Sequence, residues 1–417
     1  MTEHLQEETA RPGWRELPRN VWVMAATSFL TDVSSDMLFT LLPLFLANVL
    51  GVKTNLIGLI EGIAESTASL LRIFSGWISD RLRARKWPAV AGYALSTVAK
   101  PFLYLVTSWG GVLGVRFVDR VGKGIRNAPR DALIADSIDE HQRGLAFGLH
   151  RAGDTAGAAT GVFIALLIVL ATQSGALDLT RGTFHVVVLA SIIPAALAVT
   201  VLALGAHDVP VKEQREPPRL TLRGFDRRYH LFLLAVVVFT LGNSADAFLI
   251  LRAQERGLSV AGVLAMVLAF NVIYALVSGP AGALSDRVGR RRLIVGGWLL
   301  YGLLYLGFAA VSQTWQMIVL YALYGVYYGA AEGNARALVA DLVAAEQRGT
   351  AYGAYNAAVG VMAFPASVIA GILWSGIGGW GGFGPGAPFL FGAVLALLAV
   401  GILLWGVRGQ PRPEMAE

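Results

Sequence analysis

Residues 116–136 read RFVDRVGKGIRNAPRDALIAD, and this stretch decides which fold the chain can adopt. It lies among apolar segments, yet it holds five basic side chains at steps of three and four residues: Arg116, Arg120, Lys123, Arg126 and Arg130. That spacing places all five on one helical face, within roughly 120°. A charge in the middle of a bilayer costs at least about 2.5 kcal/mol unless it is paired or hydrated. The stretch therefore predicts a membrane-embedded helix whose basic face meets acidic side chains, a water-filled cavity, or both.

The composition of the whole chain also indicates a membrane protein. Of its 417 residues, 55% are hydrophobic and 15% are charged, and this length accommodates twelve spans of about 20 to 25 residues. The 48 glycines suit closely packed membrane helices, and the absence of cysteine excludes disulfides and thiolate metal sites. The formal net charge of +6 is explained by basic cytoplasmic loops rather than by nucleic-acid binding.

Acidic residues that can neutralise the basic face occur in the predicted spans of the first half: Asp32, Asp36, Glu61, Glu65, Asp119, Asp131 and Asp154. Two interpretations of the resulting ion pairs remain open. They only lock helices together, or some of them break and re-form while a carboxylate takes up a proton. The second is favoured because apolar residues would pack the same helices without the cost of desolvating charges. Arg151 and Asp154, three residues apart in the fifth span, are predicted to pair within their helix.

The chain is predicted to consist of two halves joined by a polar segment. The predicted parts are a cytoplasmic tail (1–20), a six-helix bundle (21–206), a cytoplasmic linker (207–228), a second six-helix bundle (229–408) and a cytoplasmic tail (409–417). Lys and Arg are concentrated in the loops on the side of the termini and the linker. Because basic loops stay on the cytoplasmic side, this asymmetry predicts a multi-pass protein of the cytoplasmic (inner) membrane with both termini in the cytoplasm.

An internal repeat supports the division into halves. GWISDRLRARK begins at Gly76, and the similar GALSDRVGRRR begins at Gly282. ALIAD begins at Ala132 and ALVAD at Ala337, and each is followed by Gln-Arg-Gly. Two repeats of six spans in the same orientation, related by an axis along the membrane normal, form one of the repeat types that transporters use.

These repeated loops resemble the signature of the major facilitator superfamily, G-x-x-x-D-R-x-G-R-[RK]. The second copy matches it well and the first copy in part, and the resemblance extends over essentially the whole chain. The resemblance implies an all-α membrane protein with 12 transmembrane helices in two six-helix bundles around a central cavity, working by alternating access. It also implies that the loop residues form a cytoplasmic gate, for which we expect these positions: Gly76, Asp80, Arg81, Gly282, Asp286, Arg287 and Arg290.

The charged and polar side chains of the predicted spans supply the candidate site residues. The family's fourth-span motif, R-x-x-Q-G, is matched at its Arg by Arg116, which the resemblance links to proton transfer. We expect Asp36 to be the main titrating acid, and the proton-coupling set to be Asp36, Asp32, Glu61, Glu65, Arg116, Asp119 and Asp154. For substrate binding we expect Arg120, Lys123, Arg126, Arg151, Asn243, Asp246, Tyr324, Tyr328 and Asn334.

The sequence thus predicts a proton-coupled secondary transporter, an exporter of a small amphipathic or anionic compound. Its partners are the substrate, protons and the lipid bilayer; no nucleic acid and no cofactor are expected, and the protein is expected to be a monomer. The alternative is export of a divalent metal or an organic cation held by the acids of the first two spans: Asp32, Asp36, Glu61 and Glu65. An enzyme is not expected, because the chain has no nucleophile triad, HExxH motif or glycine-rich phosphate loop. The family's fifth-span antiporter motif contains a proline that is absent here, at Gly161-Val162.

Overall fold

The structure is a computed structural model that describes residues 13–210, 224–344 and 347–406. Most of the predicted linker, the tail 409–417 and the first part of the tail 1–20 therefore lie outside the described residues. Beyond their helical backbone, four predicted site residues also lie outside the described part of the chain: Gly282, Asp286, Arg287 and Asn334.

The described residues form fourteen α-helices with short connections and no β-strand. In chain order these helices are α1 (Arg19–Phe39), α2 (Leu42–Leu44), α3 (Thr54–Arg81), α4 (Lys86–Ala99), α5 (Trp109–Asp136), α6 (Arg143–Gln173), α7 (Arg181–Gly205), α8 (Arg227–Gly242), α9 (Ala247–Glu255), α10 (Val260–Val288), α11 (Arg290–Ala310), α12 (Thr314–Leu342), α13 (Arg348–Ser375) and α14 (Ala387–Gly406). A π-helical turn, Phe45–Val49, continues α2, and a 3-10 helix, Lys100–Tyr104, continues α4. These fourteen helices make up twelve membrane crossings, because α1 and α2 together form one crossing and α8 and α9 together form another.

Two crossings are broken where the sequence predicted continuous helices. The first crossing was expected over about 21–50, but α1 ends at Phe39 and helix resumes next to Pro43, which has no N–H to donate to the preceding turn. The seventh was expected over about 229–252, but it is interrupted from Asn243 to Asp246. Gly242 and the short polar side chains that follow favour this interruption, because such residues compete with helical hydrogen bonding.

Eight helical segments of the described chain are long and apolar enough to cross a membrane by length and composition. Neither α3 nor α5 is among them, because these two helices carry the charged side chains. Their charges are tolerated because α3 and α5 pack against each other and turn these residues into the bundle. The bundle interior is the place where ionisable residues of membrane helices are found.

The two halves meet along α3 and α13, and along α6 and α10. Glycines allow the first pair to approach closely. A Cβ atom added at Gly62 would lie 2.9 Å from the carbonyl oxygen of Phe364, and one added at Gly371 would lie 2.7 Å from Cα of Asn55. The contact between α3 and α13 is therefore largely between main chains.

Hydrogen bonds join the halves at one membrane face. We call the end of the molecule at which α1 begins and α14 ends the terminal face, and the other end the opposite face. At the opposite face the side-chain amides of Asn48 and Gln254 exchange hydrogen bonds of 3.1 and 2.9 Å. Gln254 also donates to the carbonyl of Leu177, and the Val260 N–H donates to the carbonyl of Ala176. These bonds hold the halves together across the opposite face.

Candidate functional site

A cavity of about 590 Å³ lies between the two halves. The first half lines it with three acids and three bases: Asp36, Glu61, Glu65, Arg116, Arg120 and Lys123. The second half lines it with one acid and with polar and aromatic side chains: Asp246, Thr240, Asn243, Ser244, Asn271, Ser367, Phe270, Tyr321, Tyr324 and Tyr328. The cavity thus has one charged wall and one aromatic wall.

Two ion pairs, one helical turn apart, join α3 to α5 on the charged wall. The guanidinium of Arg116 lies 2.6 Å from the Glu61 carboxylate, with 5% and 6% of the two side chains exposed. The Arg120 guanidinium lies 3.4 Å from Glu65, whose side chain is 43% exposed. Because Glu65 lies one turn nearer the terminal face, the rise in exposure from Glu61 to Glu65 indicates a cavity that opens towards that face.

An aromatic ring organises the cations of the charged wall. The Phe39 ring centroid lies 4.2 Å from Cζ of Arg116, 5.6 Å from Cζ of Arg120 and 5.9 Å from Nζ of Lys100. The face of the ring carries partial negative charge and attracts such cations. We did not predict this role from the sequence, although Phe39 follows Asp36 by three residues and so shares its helical face.

Lys100, which was not among the predicted site residues, is a buried base outside the cavity lining. It is 1% exposed, and its ammonium group donates to the Ser34 hydroxyl at 2.6 Å and to the Ser35 hydroxyl at 3.1 Å. Ser34 in turn donates to the carbonyl of Ser191. The buried amine therefore connects α1, the 3-10 helix after α4, and α7.

Asp36 lies in the cavity among these bases. The charges that act on its carboxylate are Lys123 and Arg120 of α5, Lys100, and the acids Asp32 and Asp154. Asp32 itself is not part of the cavity lining and interacts with Asp154 and Asp36. Asp119 is also outside the lining and lies 3.8 Å from Arg120. The predicted proton-coupling residues thus form a connected network, of which Asp36, Glu61, Glu65 and Arg116 face the cavity.

Some predicted site residues make contacts that the sequence did not suggest. Arg126 lies between α4 and α5, where its Cζ is 4.4 Å from the Tyr93 ring centroid and its side chain donates to Ser96. Arg126 is not part of the cavity lining, although it was predicted to bind the substrate.

The structure shows other partners for Arg151 and Asp154 than the pairing predicted between them. Arg151 donates to the hydroxyl of Tyr274 on α10, so that it joins the two halves. Asp154 lies 3.5 Å from Nδ1 of His150, whose other ring nitrogen is 2.8 Å from the Ser28 hydroxyl. His150 and Asp154 are four residues apart. On a helix, side chains four residues apart are neighbours just as those three residues apart are.

The broken seventh crossing shapes the aromatic wall. The Tyr324 hydroxyl donates to Oδ1 of Asp246 at 3.3 Å, and the Tyr301 hydroxyl lies 3.2 Å from both the Gly242 carbonyl and Oδ1 of Asn243. The interrupted segment thus presents Asn243 and Asp246 to the cavity, as the sequence predicted for substrate-binding residues. The interruption itself was not predicted, because the sequence favours one continuous helix over about 229–252, which includes Asn243 and Ser244.

Two of the predicted gate residues, Asp80 and Arg290, each form an ion pair with a residue of their own half. Asp80 pairs with Arg85, and Arg85 also lies 3.1 Å from Asp136. Arg290 lies 2.6 Å from Asp341. Arg81 lies over the Trp77 ring, and Gly76 is buried in α3. Their role as a gate stays a prediction.

The acids proposed for the metal alternative are not brought together as a ligand set. Glu61 and Glu65 are each paired with an arginine. Among the side chains that the structure describes, no group of three or more His, Asp and Glu is placed to hold a metal ion.

Comparisons with known proteins agree with this architecture. The family model of the Major Facilitator Superfamily matches residues 24–270 and 231–417. An uncharacterised MFS-type transporter of Methanocaldococcus jannaschii is 36% identical over 402 residues, which cover 94% of this chain and 95% of that protein. The multi-drug resistance efflux pump PmrA of Streptococcus pneumoniae is 26% identical over 343 residues, which cover 79% of this chain and 82% of that pump.

The fold resembles solved transporter structures as well. The crystal structure of a bacterial homologue of the human lysosomal transporter Spinster, in an inward-facing and occupied conformation, superposes with a TM-score of 0.75 at 14% identity. The superposition covers 93% of this chain and 96% of that one, and it confirms the predicted fold. With the family match over nearly the whole length, the chain belongs to the Major Facilitator Superfamily and is a multi-pass membrane transporter rather than an enzyme.

Proposed function

We propose that this transporter is a proton-coupled exporter of a small amphipathic compound and that it works by alternating access. One observation carries the proposal: a single cavity has a wall of acids and bases on one side and a wall of aromatic and amide side chains on the other. The first wall supplies titratable carboxylates that can exchange partners, and the second supplies a surface for an apolar body.

Alternating access is supported by the placement of the helix breaks and of the contacts between halves. The breaks next to Pro43 and at Asn243–Asp246 lie in the first crossing of each half, and both border the cavity. Interrupted helices of this kind typically form the substrate sites of transporters, about which the two halves rock. The hydrogen bonds of Asn48 and Gln254 would have to break for the cavity to open at the opposite face.

Proton coupling is assigned to Asp36 because it shares its bases with other acids. When Asp36 takes up a proton, Lys123 and Arg120 lose one negative partner and are released towards the remaining acids, which include Glu65. A change in one proton is therefore expected to alter the charge interactions between α1 and α5 and the ion pair between α3 and α5. Rearrangement of such pairs is a two-state event of the kind that can favour one conformation over another.

Export is proposed from the name of a relative, and export in turn limits what the substrate can be. To drive export, inward-moving protons must exclude the substrate, so the substrate has to compete with a proton for a carboxylate. A purely anionic substrate would do the reverse, because by occupying Lys123 it would favour the protonated form of Asp36. The efflux pump PmrA of Streptococcus pneumoniae resembles this chain and suggests export. We therefore favour an amphipathic substrate over a purely anionic one.

The predicted orientation completes the proposal. With basic loops in the cytoplasm, the terminal face is cytoplasmic and the described conformation faces inward. We propose that the protein acts in this orientation in the cytoplasmic (inner) membrane, as a monomer.

The test is transport by the purified protein in sealed vesicles. The probes are a fluorescent lipophilic cation, ethidium, and a fluorescent anion, carboxyfluorescein. We expect a pH gradient to drive ethidium flux and Asp36→Asn to abolish the gradient dependence. The exposed loop residue Asp139 provides the matched control, since Asp139→Asn removes an acid outside the cavity. Flux of both probes that does not respond to the gradient, with the variant behaving as the unmodified protein, would overturn proton coupling.

A further inference from the structure

We propose that the loop between α13 and α14, residues 376–386, is a membrane anchor that inserts its apolar side chains into the lipid leaflet at the opposite face. We call this segment the aromatic loop. Its partner is the interfacial layer of the bilayer, in which the lipid headgroups meet the acyl chains. The inference concerns how the protein is held in its membrane, and it depends neither on the proposed coupling nor on the proposed substrate.

The composition of the aromatic loop does not suit a segment that lies in water. The loop reads GIGGWGGFGPG, so its side chains other than those of glycine and proline are one isoleucine, one tryptophan and one phenylalanine. The sequence has no Asp, Glu, Lys or Arg from residue 349 to residue 407. Turns in water usually carry Asn, Asp or Ser in addition to glycine. The loop therefore lacks the side chains that would favour contact with water.

The three apolar side chains of the aromatic loop are directed away from the protein. Ile377, Trp380 and Phe383 are 61%, 41% and 74% exposed. The ring centroids of Trp380 and Phe383 lie 5.0 Å apart with the rings edge to face, and a main-chain bridge joins Ile377 to Trp380. The side chains thus form one apolar patch, and an exposed patch of this kind marks a surface that contacts a membrane or another protein.

Main-chain contacts hold the aromatic loop in one conformation. The Gly376 N–H donates to the carbonyl of Ile372 at 2.8 Å, and the Trp380 N–H donates to the carbonyl of Ile377 at 3.2 Å. Gly376 has a φ of +74°, and a Cβ atom added there would collide with the Trp380 carbonyl oxygen. The side-chain amide of Asn55, in the first half, donates to the Gly376 carbonyl at 2.9 Å. Because the support is ordered, insertion of the patch costs little conformational entropy.

The depth of the aromatic loop agrees with an interfacial position. The Phe383 N–H donates to the carbonyl of Leu373 at 2.8 Å, and Leu373 lies in the last turn of α13. The loop therefore folds back beside the end of the helix instead of extending beyond it. With 28 residues, α13 is about 42 Å long, which is about the thickness of a bilayer with its headgroups. We therefore expect Phe383 at headgroup depth, where aromatic side chains are enriched in membrane proteins.

The patch continues a surface that lipid covers. α14 begins directly after the loop, and four of its exposed side chains lie within about 100° of one another around the helix: Leu390, Val394, Leu397 and Leu398. This side of a membrane crossing faces acyl chains, and the aromatic loop extends it at the opposite face. A protein partner suits the loop less well, because protein interfaces have a polar rim and the only polar side-chain group of the loop is the indole N–H.

Fluorescence quenching in vesicles tests the inference. Because the chain has no cysteine, Gly381→Cys can carry a bimane label in the loop while all three apolar side chains remain, and nothing lies within 4 Å of a Cβ atom added at Gly381. Ser174→Cys is the matched control, since Ser174 is an exposed residue at the end of α6 on the same face. The vesicles contain phosphatidylcholine that carries a nitroxide near the start of its acyl chain. We expect these lipids to quench the label at Gly381 at least about twofold more strongly than the label at Ser174.

Aqueous iodide is expected to give the reverse order. Equal quenching of the two positions by iodide and by the nitroxide lipids would overturn the inference. Protection of Gly381 from both quenchers, in a manner that changes with the ratio of protein to lipid, would also overturn it and would indicate a contact between copies of the chain.

Removal of the patch tests its role in the insertion. In the Gly381→Cys background, Ile377→Ser combined with Phe383→Ser is expected to reduce quenching by the nitroxide lipids at least about twofold and to increase quenching by iodide. Leu177→Ser in the same background is the control, because Leu177 is an exposed apolar residue of another loop at this face. Unchanged quenching in the serine variant of the loop would contradict insertion by these side chains. No transport is measured, so a failure of the proposed function would leave these results unaffected.

Discussion

The guanidinium of Arg85 lies 3.1 Å from the carboxylate of Asp136, and in the second half the guanidinium of Arg290 lies 2.6 Å from the carboxylate of Asp341. Each pair joins the segment that carries the repeated Asp-Arg motif to the end of the fourth crossing of its half, α5 or α12. The environments differ, since the side chains of Arg85 and Asp136 are 3% and 17% exposed, and those of Arg290 and Asp341 are 35% and 47% exposed. The buried pair is therefore expected to contribute more to the stability of the protein than the exposed pair does.

This difference predicts unequal effects of matched substitutions. Asp136→Asn removes a charged acceptor from a buried guanidinium and is expected to lower the free energy of unfolding by about 2 kcal/mol. Asp341→Asn breaks an exposed pair and is expected to cost about 0–1 kcal/mol. Thermal unfolding midpoints of the two purified variants in detergent measure the difference. Equal shifts would show that burial does not set the strength of these pairs.

The pair of Glu61 and Arg116 predicts a non-additive pattern. Glu61→Gln leaves the buried guanidinium of Arg116 without its carboxylate and is expected to lower stability by about 3–5 kcal/mol. Arg116→Gln leaves a buried carboxylate and is expected to cost a similar amount. The double variant removes both charges and is expected to recover part of the loss, because a neutral pair needs less solvation. A double variant whose loss equals the sum of the single losses would contradict a direct interaction.

The close contact of α3 and α13 predicts that an added methyl group shifts the conformational equilibrium. A Cβ atom at Gly58 would meet the carbonyl of Ser367 on α13, so Gly58→Ala is expected to weaken the closure of the opposite face. Because the chain has no cysteine, a single Ile250→Cys reporter in the cavity lining can report access to a membrane-impermeant maleimide. Labelling from the opposite face should become faster with Gly58→Ala. Gly114→Ala is the control, since nothing lies within 4 Å of its added atom, and an equal effect of both would argue against the contact.

The amide pair of Asn48 and Gln254 predicts a smaller change in the same assay. Gln254→Ala removes bonds to Asn48 and Leu177 across the opposite face. If the closed form loses about 1 kcal/mol of stability, the population that is open at the opposite face increases about fivefold. The same cysteine reporter is therefore expected to label about five times faster. Unchanged labelling would mean that these bonds do not limit opening.

The sequence predicted much of the fold because its pattern is simple. The basic stripe on α5 and the acids of α3 required partners, and the structure pairs Arg116 with Glu61 and Arg120 with Glu65. The internal repeat predicted two halves, and the family match confirms the fold. These features depend on helical spacing and on the cost of charge in a membrane, which can both be read from a single chain.

The parts that were missed depend on packing between distant segments. The position of Phe39 among three cations and the contact of Arg126 with Tyr93 follow from how α1 and α4 lie against α5. Helical spacing alone places the five bases on one face but does not give the width of the cavity. The break at Asn243 requires the hydroxyl of Tyr301, which is supplied from α11.

The main-chain contact between α3 and α13 limits where this transporter can change during evolution. Gly58, Gly62 and Gly371 lie so close to the facing helix that larger residues would separate the halves. New substrates must then be acquired by replacing residues on the cavity walls, while this seam keeps its glycines. Homologues that differ in specificity should accordingly diverge at residues of the cavity walls and share the small residues along the seam.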